Sequence, residues 1–136
     1  MREADAANTT VRIGAPSAEV PEPRTFYRVV RNNPPLRKDF LPHGARRPPP
    51  WRNPTPEQLA SWYAVSTYVT EEGARDQALA VREAGRSIGD FIAGLVIPAD
   101  ATVTFGAINE RGHCDLTADA QVLLDAVVLP VTTVDK

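Results

Sequence analysis

Apolar and polar residues alternate in several short segments of the chain, and this period of two predicts β-strands. The first predicted strand covers residues 25–31, where Phe26, Arg28 and Val30 share one face because successive strand side chains point to opposite sides. Further strands are predicted at residues 65–70, 90–97, 102–108 and 127–134. Pro130 places the last of these at a sheet edge, since proline donates no ladder hydrogen bond.

Helix signals separate these strands. Thr55-Pro56-Glu57-Gln58 has a capping threonine, a proline at the first helical position and a glutamine that completes a capping box. Thr70 is the predicted N-cap of a second helix that continues to about Glu83 and ends at Gly85. Shorter helical segments are predicted at residues 35–41 and at residues 118–125, the latter capped by Thr117.

The order β-α-α-β-α-β-β-α-β does not alternate regularly, which favours an α+β fold. We expect a small mixed or antiparallel sheet of about five strands with three or four short helices. Residues 1–23 are polar and without periodicity, so they are predicted to form a flexible tail. Residues 24–136 are predicted to form a single domain with a Pro/Arg-rich loop at residues 42–54.

Charge is distributed unevenly along the 136 residues, although the net charge is only −2. Residues 23–52 carry eight basic side chains and one acid, Asp39. This excess indicates either an anion-attracting surface, through Arg46, Arg47 and Arg52, or a solvated arginine-rich loop. Nucleic acid is disfavoured as a partner, because the basic stretch has few aromatic residues and the rest of the chain is acidic.

The remaining bulk properties favour a cytoplasmic protein. No apolar run reaches the roughly 18 residues that span a membrane, and no hydrophobic segment after Met1 indicates a secretory signal. Cys114 is the single cysteine, which excludes an internal disulfide and argues against a cysteine-rich zinc site.

Arg28 is a cation on an otherwise apolar strand face, and burying an unpaired charge is costly. Its partner is expected to be either a carboxylate of the protein, such as Asp90, or a phosphate of a ligand. A second notable strand carries Ser66-Thr67-Tyr68 and leads into an alanine-rich helix. Taken alone, these hydroxyl residues also suit an ordinary strand, because threonine favours strands.

Tyr27-Arg28-Val29 and Ser66-Thr67-Tyr68, with the helix that follows, together resemble the ADP-ribosyltransferase fold of bacterial mono-ADP-ribosylating toxins. The resemblance spans roughly residues 25–134. It implies that NAD is bound, with Arg28 gripping a phosphate or ribose. It also places Tyr27 at the cofactor, with Ser66 and Thr67 shaping the pocket and Tyr68 stacking on a ring.

The same resemblance implies a glutamate near a late strand, where it holds a ribose hydroxyl and stabilises an oxocarbenium-like transition state. Glu110 is the first candidate, and with Arg28 and Ser66 it completes the implied catalytic set. Gln121 is the second candidate. If Glu110 is the equivalent, ADP-ribose transfer or NAD hydrolysis is expected; if Gln121 is, the protein binds NAD without efficient chemistry.

Other sites receive less support from the sequence. Cys114 beside His113 suggests a nucleophile and its base, but neighbouring side chains diverge on most backbones, so a small semi-buried cysteine is the better interpretation. His43 and His113 with a carboxylate suggest a metal site, but lone loop histidines are usually solvated, so no metal site is predicted. No phosphate-binding glycine loop or nucleophile elbow is present in the sequence.

Three hypotheses about function follow. The first is an NAD-binding protein of ADP-ribosyltransferase type. The second is a non-enzymatic interaction module, such as a partner or immunity protein of a toxin system, suggested by the polar tail and the acidic C-terminal part. The third is a small biosynthetic enzyme that binds another anionic small molecule through the basic loop.

Overall fold

A computed structural model describes residues 24–135. The segment predicted to be a tail, residues 1–23, lies outside the described residues. The strands are β1 (Arg24–Val30), β2 (Val65–Tyr68), β3 (Phe91–Ile97), β4 (Thr104–Phe105), β5 (His113–Thr117) and β6 (Thr132–Thr133). The helices are α1 (Pro56–Trp62), α2 (Glu71–Glu83) and α3 (Ala120–Asp125), and short 3-10 turns cover Arg37–Phe40 and His43–Ala45.

All six strands form one antiparallel sheet in the order β4-β5-β2-β1-β3-β6. This confirms the α+β class, with six strands where about five were expected. β1 pairs with β3 along its whole length, from Arg24 to Val30. Its pairing with β2 is limited to Tyr27 opposite Tyr68, so the two strands diverge from that point toward Val30.

The two faces of the sheet bury different residues. On one, called the α2 face, Val29 and Ile92 pack with Ala74 and Ala78 of α2. On the other, called the loop face, the core includes Phe26 and Val30 of β1, Val65 of β2, Phe40 of the first 3-10 turn and Leu123 of α3. Each face is therefore covered by its own helix, which sets where polar side chains can reach solvent.

Two helix starts are confirmed as predicted. Thr55 accepts a hydrogen bond from the amide of Gln58, and the Gln58 side chain accepts one from the amide of Thr55. Thr70 caps α2 by accepting from the amide of Gly73, 3.0 Å away. Just beyond α2, Gly85 has a φ of +83°, a backbone conformation that glycine adopts without strain.

Several boundaries differ from the predictions. His113–Thr117 forms β5, a strand that the sequence pattern did not predict. Asp119, not Thr117, caps α3 through the amide of Gln121. The strands expected at residues 102–108 and 127–134 are reduced to the two-residue strands β4 and β6, because turns and irregular backbone occupy the rest.

β6 lies at an edge of the sheet, as Pro130 indicated. Within residues 24–135, no helix is both long and apolar enough to cross a membrane.

Candidate functional site

A cleft of about 380 Å³ opens where β1 and β2 diverge, a volume that suits a small-molecule ligand. Its walls include Arg28 and Val29 of β1 and Ser66 and Tyr68 of β2. The charged residues of its lining are Arg28, Arg31, Lys38, Arg46, Asp39 and Asp115. Four cations thus face two carboxylates in a chain whose net charge is −2.

Arg28 is half-buried and bridges two segments through backbone carbonyls. Its Nε donates to the carbonyl of Asp39 and its Nη1 to the carbonyl of Ser66, both at 2.7 Å. Nη2 makes no hydrogen bond to any of residues 24–135. Burial lowers the pKa of Arg28 to about 10, with Asp39 opposing this shift and Arg46 adding to it. Arg28 therefore stays charged at neutral pH and brings that charge to the cleft.

The acid expected to pair with Arg28 is engaged elsewhere. Asp90 forms an ion pair with Arg82, at 2.8 Å. The carboxylate that acts electrostatically on Arg28 is that of Asp39. This carboxylate accepts hydrogen bonds from the amides of Arg31 and Leu36 and from the side chain of Asn32. The Asp39 carboxylate thus fixes the turn after β1, and its backbone carbonyl orients the Arg28 guanidinium.

The residues of β2 divide between the two faces of the sheet. Ser66 and Tyr68 point to the α2 face and line the cleft. Thr67 points to the loop face, where it is fully buried and donates to the carbonyl of Cys114 at 2.6 Å. Thr67, which the resemblance placed at the cofactor, is not part of the cleft lining. Its hydroxyl instead satisfies a buried carbonyl between β2 and β5.

Two residues of β5 join Ser66 in the cleft. Asp115 lies opposite Ser66 and His113 opposite Tyr68 in the strand register. The Oγ of Ser66 is 2.7 Å from Nε2 of His113, and Oδ1 of Asp115 is 3.4 Å from the same nitrogen. A Ser-His-Asp triad needs the carboxylate on Nδ1, behind the ring. Since both groups contact Nε2, this cluster is not built as such a triad.

Burial raises the pKa of the Asp115 carboxyl, while nearby His113 and a hydrogen bond from Ser61 act in the opposite direction. The charged carboxylate is therefore less favourable here than in water. A ligand hydroxyl that donated to Asp115 would offset part of that cost.

Three further residues named from the sequence lie outside the cleft lining. Tyr27 packs against the cluster on the α2 face. Glu110 is exposed in the turn between β4 and β5. Gln121 is exposed on α3, where its side chain donates to Asp125 at 2.8 Å. The structure thus brings together Arg28, Ser66 and Tyr68 but leaves both candidate acids elsewhere.

Cys114 is fully buried on the loop face, opposite to the direction of His113. Burial raises the pKa of its thiol to about 12, and Sγ donates to the carbonyl of Gly106. A thiol with this pKa is protonated at neutral pH and cannot act as a nucleophile there. Cys114 is therefore a core residue and does not pair with His113.

Sequence reasoning did not single out several cleft residues, among them Asp115, Lys38 and Gln77. Asp115 alternates with Cys114 and Leu116, a short period-two pattern that identifies β5 once its pairing with β2 is known. Lys38 lies on the 3-10 turn, where its carbonyl accepts from Arg46 at 2.9 Å. This hydrogen bond holds Arg46 and Lys38 on the same wall of the cleft.

Across residues 24–135, no three histidine, cysteine, aspartate or glutamate side chains come close enough together to hold a metal ion. Comparisons of the chain with protein-family models, with curated proteins and with solved structures found no match. Function is therefore inferred from the residues of the cleft.

Proposed function

We propose that the protein binds NAD, or a closely related anionic nucleotide, in the cleft between β1 and β2. The observation that carries this proposal is that Arg28 and Ser66, 38 positions apart in the chain, line one cleft together with Tyr68. These are residues that the resemblance to ADP-ribosyltransferases assigns to phosphate, ribose and ring. Their meeting in one cleft supports the proposed binding of NAD.

The chemistry of the lining suits the parts of a dinucleotide. Arg28, Lys38 and Arg46 supply positive charge at the loop side, where a pyrophosphate is bound by charge-assisted hydrogen bonds. Ser66 is small and exposed, so that a ribose can approach the strand backbone. Tyr68 offers an aromatic ring for stacking.

Asp115 is a better candidate than Glu110 for the catalytic carboxylate, because Asp115 lies in the cleft next to Ser66. Hydrolysis of NAD breaks the bond between nicotinamide and ribose C1′ and adds water across it, giving nicotinamide, ADP-ribose and a proton. Asp115 accepts a hydrogen bond from a ribose hydroxyl, and its negative charge favours positive charge that develops at C1′. His113, which also lines the cleft, accepts the proton of the attacking water.

Binding is tested by calorimetric titration with NAD of the wild type and of a matched pair of variants. Arg46→Ala removes a cation from the cleft, whereas Arg47→Ala removes its exposed neighbour, which is not in the lining. We expect Arg46→Ala to weaken binding by at least about tenfold, since a hydrogen bond to a charged group contributes about 1.5–3 kcal/mol. Absence of NAD binding by the wild type at millimolar concentration, or equal effects of both variants, would refute the proposal.

Catalysis is tested by chromatographic measurement of nicotinamide released from NAD. Asp115→Asn is expected to reduce release by at least about 100-fold, comparable to the loss of one transition-state contact. Glu110→Gln is the control and is expected to stay within about twofold of the wild type. A loss of activity in Glu110→Gln alone would return the catalytic role to the exposed turn.

A further inference from the structure

Gln77 is a polar residue of the cleft that has no role in the proposed contacts to phosphate, ribose or the stacked ring. It lies on α2, is half-buried and forms part of the cleft wall. The side-chain amide of Gln58 is hydrogen-bonded to Thr55, and that of Gln121 is hydrogen-bonded to Asp125. Within residues 24–135, the amide of Gln77 makes no hydrogen bond. Its donor and acceptor are therefore available to a molecule in the cleft.

The position of Gln77 separates it from Arg28. α2 covers the sheet face to which Ser66 and Tyr68 point, with Ala74 and Ala78 buried against it. Gln77 precedes Ala78, so its side chain enters the cleft from the α2 side. Arg28 belongs instead to the loop face, which the alternation of β1 places opposite. Gln77 and Arg28 therefore reach the cleft from opposite faces of the sheet.

The surroundings of Gln77 suit a flat ring. Val29 is buried and Ile88 is 38% exposed, and both line the cleft with apolar atoms. Tyr68, from the same face, adds an aromatic ring. An apolar wall with one free amide binds a neutral heterocycle that has a donor and an acceptor on one edge, since the ring is desolvated and its polar edge is satisfied.

We propose that Gln77 is a specificity-determining residue that binds the donor–acceptor edge of a heterocycle of the bound nucleotide. A glutamine amide pairs with an adjacent amino donor and acceptor through two hydrogen bonds, as it does with the N6 and N7 edge of adenine. The nicotinamide carboxamide has the same pair of groups. The shared chemistry is thus an amino group beside an acceptor. This inference rests on the proposed binding of NAD.

The test is calorimetric titration of wild type and Gln77→Met with three probes: NAD, nicotinamide mononucleotide and ADP-ribose. Methionine keeps the length and helix propensity of glutamine but forms neither hydrogen bond. The control is Gln121→Met, the same chemical change outside the cleft. We expect Gln77→Met to bind NAD about tenfold more weakly, the worth of about two neutral hydrogen bonds, and Gln121→Met to bind as the wild type does.

The two shorter probes identify the heterocycle. A loss confined to nicotinamide mononucleotide assigns Gln77 to the carboxamide, and a loss confined to ADP-ribose assigns it to adenine. Unchanged binding of all three probes by Gln77→Met, when Arg46→Ala weakens NAD binding, overturns the inference and leaves the proposed function standing. Failure of the wild type to bind any probe overturns the proposed function itself. Circular dichroism and thermal unfolding of each variant verify that the fold is retained.

Discussion

Ser66 and Asp115 lie directly opposite each other in the pairing of β2 with β5. The sheet register, not a loop, therefore sets the separation between the hydroxyl and the carboxylate. His113, two residues before Asp115, contacts both side chains through Nε2. A polar cluster on paired strands is held more rigidly than one on loops, which suits a site that must orient a ligand.

The first prediction concerns Asp115 and pH. Because the pKa of Asp115 is raised in the folded protein, its ionisation opposes folding above the ordinary aspartate pKa of about 4. Asp115→Asn is therefore expected to raise the free energy of unfolding at pH 7, by about 0.5–1 kcal/mol, a common gain when a site residue is replaced. This gain should disappear below about pH 4, where the carboxyl is protonated in both states.

The measurement is urea unfolding of wild type and Asp115→Asn across this pH range. Lower stability of the variant at pH 7 would mean that attraction to His113 outweighs the cost of burying the carboxylate. Folding would then lower the pKa of Asp115 instead of raising it, contrary to this prediction.

The second prediction concerns Arg28, which is structural as well as ligand-binding in this account. Arg28→Met leaves the carbonyls of Asp39 and Ser66 without their donor. We expect the free energy of unfolding to fall by about 2–4 kcal/mol, because hydrogen bonds from charged groups contribute more than neutral ones. Arg28→Lys should lose less, since an ammonium can reach one carbonyl.

Urea unfolding measures this loss, with Arg86→Met as the control, because Arg86 is exposed. If Arg28→Met is as stable as Arg86→Met, the two carbonyl contacts contribute nothing and Arg28 serves the ligand alone.

The third prediction separates stability from binding along β2. Thr67→Val removes a buried hydroxyl that donates to the Cys114 carbonyl, so it should lower the free energy of unfolding by about 1–2 kcal/mol and leave NAD affinity unchanged. Ser66→Ala removes an exposed hydroxyl in the cleft, so it should change stability by less than about 0.5 kcal/mol and weaken NAD binding.

Unfolding and calorimetry on the same two variants distinguish these effects. The opposite pattern, with Thr67→Val weakening NAD binding and Ser66→Ala unfolding the protein, would contradict the assignment of the two residues to opposite faces.

Much of the fold could be predicted because its signals are local. The caps of α1 and α2 are formed by residues three positions apart, Thr55 with Gln58 and Thr70 with Gly73, so the sequence alone identifies them. β5 escaped prediction because its alternation is only five residues long and follows a polar turn. Its pairing with β2 is a contact between residues 47 positions apart, which no local pattern encodes.

The candidate site was predictable only in part. Arg28, Ser66 and Tyr68 were named from their strands, and all three line the cleft. The partners of Arg28 were not predictable, because they are backbone carbonyls, which any residue type can supply. Asp115 could not be identified from the sequence, because strand pairing determines which acid faces the cleft.

The central claim, that NAD binds between β1 and β2, is tested most directly by NMR titration of ¹⁵N-labelled protein with NAD. We predict saturable shifts of the backbone amides of Ser66, Tyr68 and Asp115 and of the side-chain amide of Gln77, with little change on α3 or β6. Saturating shifts centred on α3 or β6, or no shifts at millimolar NAD, would contradict the claim.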